Sequence, residues 1–254
     1  MKKIYIFLFF AALLLSCNKS AKTQATATMD VQKVSVPVFV ADSAYSYVKQ
    51  QVDFGPRVPN TKAHELCAVY LAESLKKYGA EVTEQKAILS TFDGKRLNAI
   101  NIIGSYNTEN EDRILIFAHW DSRPWSDNDP DPTKHQQAVD GANDGASGVG
   151  VLLEMARQFG LQHPTVGVDI AFFDAEDYGA PANFKGNAED SWCLGTQYWC
   201  KNPHVKGYRA KYGILLDMVG APGATFYKEQ ISMYYAAHVV NKVWSAAEKL
   251  GFGQ

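Results

Sequence analysis

The sequence predicts a three-layer α/β sandwich around a mixed, mainly parallel central sheet. Apolar runs of strand length alternate along the chain with longer stretches whose apolar residues recur at helical spacing. Two runs, 168–173 and 212–216, are apolar enough for strands covered on both faces. Three runs end in polar residues: 113–118 leads into His119-Trp-Asp121, 168–173 into Asp174-Ala-Glu176-Asp177, and 212–216 into Asp217. Open α/β sheets place ligands at the carboxyl ends of their strands. Those three ends therefore outline an active site.

At 254 residues the chain has room for one sizeable domain and little more. Lys and Arg total 25 against 27 Asp and Glu, so no basic field points to a nucleic-acid partner. The N-terminus reads as an export signal: Lys2 and Lys3, then an apolar run over 4–15 ending in Leu14-Leu-Ser-Cys17. At about a dozen residues that run is short of the ~20 a spanning helix needs. Leu-Leu-Ser-Cys resembles a bacterial lipobox, which makes Cys17 the lipidated first residue of the mature protein. Residues 1–16 are thus expected to be a lipoprotein signal peptide. Residues 17–38, rich in Ser, Thr, Ala and Lys, read as a flexible tether, and 39–254 as the domain. The implied location is the periplasmic side of a bacterial envelope, with a lipid anchor at Cys17 holding the protein to the outer membrane.

Within the domain, 42–52 and 62–78 carry apolar residues at helical spacing, joined by the turn-rich Asp53-Phe-Gly-Pro-Arg-Val-Pro-Asn60. Stretches 81–89 and 97–106 read as a hairpin around Phe92-Asp-Gly-Lys95, and 113–118 as a central strand. A long polar loop covers 120–143, and its acids at 127, 129 and 131 lack EF-hand spacing and read as solvated. Helices are expected at 147–159, 194–201 and 233–250. Cys193 and Cys200 lie seven apart, and across a continuous helix that is ~10 Å, too far for a bridge. They are expected to be unbridged.

Asp140-Gly-Ala-Asn-Asp144-Gly-Ala-Ser-Gly148 precedes the third long helix. A loop rather than a strand leads into it, which argues against a phosphate-binding glycine loop. Asp144 alone would be a helix cap; beside the other acids it reads as a metal ligand. Glu176 and Asp177 are adjacent at a strand exit, where one can reach a metal while the other stands free as general base or acid. Several carboxylates with few histidines repel one another unless a cation compensates. His119, in its His-x-Asp setting, joins them as possible site support or second-metal ligand, and Asp217 reads as a half-buried carboxylate needing a partner.

Together, His119-Trp-Asp121, Asn143-Asp-Gly-Ala-Ser-Gly148, Phe173-Asp-Ala-Glu-Asp177 and Leu216-Asp-Met-Val219 resemble, in order, the signatures of the M28 zinc aminopeptidase family. The resemblance spans about 51–250 and implies a zinc aminopeptidase-like fold. Phe173-Asp-Ala-Glu-Asp-Tyr-Gly179, residues 215–226 and His119-Trp-Asp-Ser-Arg-Pro-Trp125 are similar to the bacterial branch of the animal-type glutaminyl cyclases within that family. The resemblance implies one zinc held by Asp144, Asp177 and a later His, with Glu176 as proton shuttle and Asp217 as hydrogen-bond partner of the reacting groups. Animal members carry Glu where this chain has Asp177. The implied substrates are peptides or proteins beginning with Gln. Trp192 and Trp125 are candidate pocket walls. The family's last zinc ligand follows the helix matching 233–250, and the sequence stops at Gln254, so the C-terminal part of the domain is expected to be missing. His238, mid-helix, is a poor substitute. The first rival is a two-zinc aminopeptidase, in which His119, Asp144 and Asp217 hold one ion; a second is a non-catalytic surface lipoprotein.

Overall fold

A computed structural model describes residues 36–181 and 183–253. The expected signal peptide, Cys17 and the expected tether through residue 35 lie outside the described residues. Helices α1 (Ala41–Asp53) and α2 (Lys62–Lys77) form where the apolar spacing predicts them. Thr61 starts α2 by accepting the His64 N–H at 3.3 Å, a serine/threonine cap of the usual kind. Along α2, Cys67, Leu71 and Leu75 stack one turn apart and are fully buried. Each such leucine contributes roughly 1.5–3 kcal/mol.

Strands β1 (Glu81–Ser90) and β2 (Arg96–Tyr106) make the expected antiparallel hairpin. Strands β3 (Arg113–His119), β4 (Gly167–Phe173) and β5 (Gly213–Leu215) complete a sheet ordered β1-β2-β4-β3-β5. The β2–β4 pairing is antiparallel, whereas β4–β3 and β3–β5 are parallel. The sheet is thus mixed, and its parallel part consists of the three strands that end in polar residues.

Helix α3 (Ala146–Leu161) joins α2 on one face, where Leu71, Leu152 and Leu153 pack with Ile102, Ile116 and Phe172. On the other face Ile103, Leu115, Ala171 and Phe173 meet Trp199 of α4 (Leu194–Lys201). Helix, sheet and helix give the three layers. All seven residues of β4 are buried, Asp169 among them, as a strand covered on both faces requires.

Two elements differ from expectation. β5 holds three residues rather than the five of 212–216, and its Leu215 is 54% exposed. Helix α5 (Gln230–Lys249) begins three residues early because Glu229 caps it, accepting the N–H groups of Ile231 and Ser232. It is also kinked at Ala236. Cys67, Cys193 and Cys200 are free, as expected; Cys193 precedes α4 in a left-handed conformation.

At the amino end of β4 Asp169 is fully buried. It accepts from Arg113 Nε at 2.8 Å and Nη2 at 2.7 Å, from Ser105 Oγ at 2.6 Å and from Tyr208 OH at 2.8 Å. Burial opposes its charge, but these donors outweigh burial and hold its pKa below the ordinary carboxylate value.

Candidate active site

Strand register assembles the site. His119 pairs with Phe173 across β3–β4, so the acids after Phe173 emerge beside it. Phe117 pairs with Leu215 across β3–β5, so Asp217, two residues on, comes level with His119. His119 is buried, and its Nε2 lies 2.9 Å from Asp144 Oδ1 and 3.5 Å from Asp217 Oδ1. Its Nδ1 lies 3.4 Å from Asp121 Oδ1 and 4.0 Å from Glu176 Oε2. Burial disfavours the charged imidazole, but Asp121, Asp144 and Asp217 together raise its pKa well above the ordinary value.

Asp144 does not cap α3. The cap position belongs to Gly145 at φ 65°, with no side-chain cap bond, which leaves the Asp144 carboxylate free to face His119. The glycines of this stretch serve packing rather than phosphate binding: a Cβ on Gly148 would lie 2.2 Å from the Leu216 carbonyl oxygen. The same loop ties down the segment after β5. Val219 N–H donates to Ser147 Oγ at 3.0 Å and Gly220 N–H to Asn143 Oδ1 at 2.9 Å.

The three acids after β4 part company. Asp174 turns into the core, where it accepts from Ile100 N at 2.6 Å and Ala175 N at 2.7 Å, and its Oδ2 lies 2.8 Å from His64 Nε2. Ala175 then takes a left-handed conformation, φ 51°, which sends the chain back over the strand end. Glu176 and Asp177 follow with both N–H groups on one carboxylate, donating to Asp121 at 3.0 and 3.1 Å. The Glu176 side chain is 28% exposed and accepts from Cys193 Sγ at 3.2 Å. Burial raises its pKa, partly offset by His119. Asp177 is raised to about 7, by burial first and then by the Asp121 and Asp144 carboxylates.

His119, Asp144 and Asp217 offer ligand atoms that all lie within 4.8 Å of one another. One imidazole and two carboxylates suit zinc, and the crowding that lifts Asp177 is what a divalent cation relieves. The residues present therefore fit a zinc ion. Asp177 stands beside this trio rather than in it. The Trp192 side chain rests on the turn at Gly179 and is 41% exposed, while Trp125 packs among Phe92 and Tyr178. His238 is exposed on α5.

Several contributors were not singled out from the sequence. Asp121 had a signal in His-x-Asp. Arg57 is fully buried and donates to the carbonyls of Trp120 at 3.2 Å, Asp140 at 2.6 Å and Gly141 at 2.7 Å, holding the loop that delivers Asp144. Cys193 was read only for a disulfide.

Comparison with known proteins agrees with this geometry. Residues 101–253 match the model of Peptidase family M28. The structure is similar to a Zn-dependent exopeptidase from Parabacteroides distasonis, at 62% identity and a TM-score of 0.85, covering 86% of this chain and 75% of that one. It is equally similar, at 57% identity and TM-score 0.85 with the same coverage, to a Bacteroides thetaiotaomicron glutaminyl cyclase bound to N-acetylhistamine. A curated relative, the glutaminyl-peptide cyclotransferase of Drosophila melanogaster, is 26% identical over 181 residues, 68% of this chain and 47% of its own. The chain spans 31–47% of the length of the curated relatives it matches. With that family model matching more than half of its length, the chain belongs to peptidase family M28.

Proposed function

We propose that this chain carries the active site of a zinc-dependent glutaminyl-peptide cyclotransferase, which converts an N-terminal Gln of a peptide or protein to pyroglutamate and releases ammonia. The observation that carries the reading is Glu176: a half-buried carboxylate next to the proposed ligand Asp177, hydrogen-bonded by Cys193 and 4.0 Å from His119. The solved glutaminyl cyclase at 57% identity supports it.

One zinc is proposed, held by Asp144 and Asp177 with a further ligand supplied from outside the described residues. Bound there, it would supply Lewis-acid polarisation of the substrate's side-chain carbonyl. The chain's own groups do the rest. Glu176 accepts a proton from the α-amine as its nitrogen bonds to the side-chain carbonyl carbon. It then returns that proton to the departing amide nitrogen as the old carbon–nitrogen bond breaks, and ammonia leaves. Burial keeps the Glu176 pKa above the ordinary value, which suits a group that must both take and give a proton. Asp217, at the edge of the site, accepts a hydrogen bond from the reacting nitrogen, and Trp192 and Trp125 wall the pocket.

The trio His119, Asp144 and Asp217 favours a second reading, a two-zinc aminopeptidase. Metal stoichiometry and products separate the two. A Gln-initiated peptide should lose ammonia without losing a residue, with one zinc per chain; two zincs and release of the first residue would establish the aminopeptidase.

We further propose that the domain is tethered through residues 17–38 to a lipid on Cys17 and faces the periplasm from the outer membrane. Metabolic labelling with a radioactive fatty acid should mark the wild type and not Cys17→Ala.

A further inference from the structure

Arg123 is the most heavily engaged cation near the site and has no part in the chemistry above. It is 9% exposed. Its Nε and Nη2 grip Asp127 at 2.7 and 2.8 Å, a two-pronged fork that only a guanidinium provides. Its Nη1 donates to the carbonyls of Asp177 at 3.1 Å and Gly179 at 3.3 Å. The guanidinium carbon Cζ lies over the rings of Trp192 and Trp125, 4.7 Å and 5.3 Å from their centres.

Trp192 also meets the backbone at Gly179. A Cβ on Gly179 would lie 2.0 Å from the indole, so the ring rests directly on backbone that must be glycine. Ala180 N–H donates to Ser191 Oγ at 3.1 Å and holds the two segments together at that point. A tryptophan 41% exposed would ordinarily sample several rotamers. Here the ring is in contact with a glycine and with a cation whose own donors are committed to a carboxylate and two carbonyls.

We propose that Arg123 is a positioning residue that locks Trp192 over Gly179 as a rigid wall for the side chain of the N-terminal residue, so that it governs substrate affinity rather than proton transfer. The inference rests on the cyclase reading. The Arg123 fork is consumed internally, and its Nη1 also lies 3.8 Å from Asp177 Oδ1, so the zinc content of each variant is measured beside its kinetics to separate an effect on Trp192 from one on Asp177.

The test uses the natural full-length protein with zinc and a Gln-initiated peptide, comparing wild type, Arg123→Lys, Trp192→Phe and the double variant. Lysine keeps the charge but loses the fork and the flat stack. Arg123→Lys should raise KM about tenfold with kcat changed by less than about threefold. Trp192→Phe should do likewise, and the double variant should be no worse than the poorer single one, since both remove one interaction. Acrylamide quenching, with Trp192→Phe as the reference for that indole, should show Trp192 more accessible in Arg123→Lys. Should Arg123→Lys fail to fold, Asp127→Asn loosens the same fork and should shift KM and quenching in the same direction. A fall in kcat at unchanged KM, additive effects in the double variant, or unchanged Trp192 quenching would overturn the proposal. If the wild type leaves the peptide intact, the cyclase reading falls, and the quenching result alone decides whether Arg123 locks Trp192.

Discussion

The site has two halves built by different means. On β3 and β4 the groups are buried: the side chains of His119, Asp121 and Asp177 are 3%, 0% and 10% exposed. Toward β5 they are open, with Asp144 at 43% and Asp217 at 37%. The buried half is held by its own polar network, in which one carboxylate takes two consecutive backbone N–H groups. The open half is held by strand register and by two hydrogen bonds from the backbone after β5 to Ser147 and Asn143. A buried network fixes geometry and makes each member structurally costly to remove. An open carboxylate leaves little structural cost behind, so its substitution reads out function more cleanly.

The largest effect should come at the boundary between the halves. Glu176→Gln is expected to lower the rate of cyclisation by about 10²–10⁴-fold. Zinc content and thermal stability should stay near wild type, because the amide replaces a partly exposed side chain. Steady-state kinetics with a melting curve on the same preparation checks both parts, and a large loss of stability would place Glu176 in the structural network instead.

Asp121→Ala removes the hub of the buried half. Unfolding in urea should show a loss of about 3–5 kcal/mol, the cost of breaking a buried polar network. Arg57→Met should fall in the same class, since three carbonyls lose their donor.

Away from the site, Asp169 provides a control for burial alone. Its pKa is lowered in the fold, so its stabilisation is fully present above the ordinary carboxylate pKa and is lost as pH falls through the folded value. Asp169→Asn should therefore cost roughly 1–3 kcal/mol at neutral pH and progressively less in acid. Denaturant titrations across pH would show the two stability curves converging at low pH; parallel curves would contradict the assignment.

Zinc uptake should also depend on pH. Asp177 titrates near 7 before any metal binds and must be deprotonated to serve as a ligand, so affinity should weaken as pH drops below about 7. Competition with a chelating dye at several pH values measures this. The smallest effect belongs to the open half: Asp217→Asn should change stability by no more than about 0.5 kcal/mol, while still impairing turnover.

The same contrast explains what could be read from the sequence. Helices α1 to α3 and the β1–β2 hairpin were legible because burial of one face imposes a period on apolar residues, and β4 because burial of both faces leaves a nearly continuous apolar run. The strand-end acids were legible because polarity interrupts an apolar run, and His119, Asp144, Glu176, Asp177 and Asp217 all come to one end of the sheet. β5 came out shorter because an exposed edge strand leaves a weaker imprint than β4. The separate fates of Asp174 and Glu176 were hidden: they depend on a left-handed Ala175, a residue with no turn preference of its own. Arg57 and Arg123 were hidden for another reason. Most of their partners are backbone carbonyls 54–84 residues away, which no side-chain pattern marks.

The central claim is that these strand-end acids hold zinc beside a proton-shuttling Glu176 acting on N-terminal Gln. The most direct test incubates the natural full-length protein with a Gln-initiated peptide and follows ammonia release and the matching mass loss by mass spectrometry, before and after chelation and zinc restoration. Mass loss that stops with the chelator, returns with zinc and is absent in Glu176→Gln is the predicted result. Release of the first residue, or lactam formation undiminished in Glu176→Gln, would contradict it.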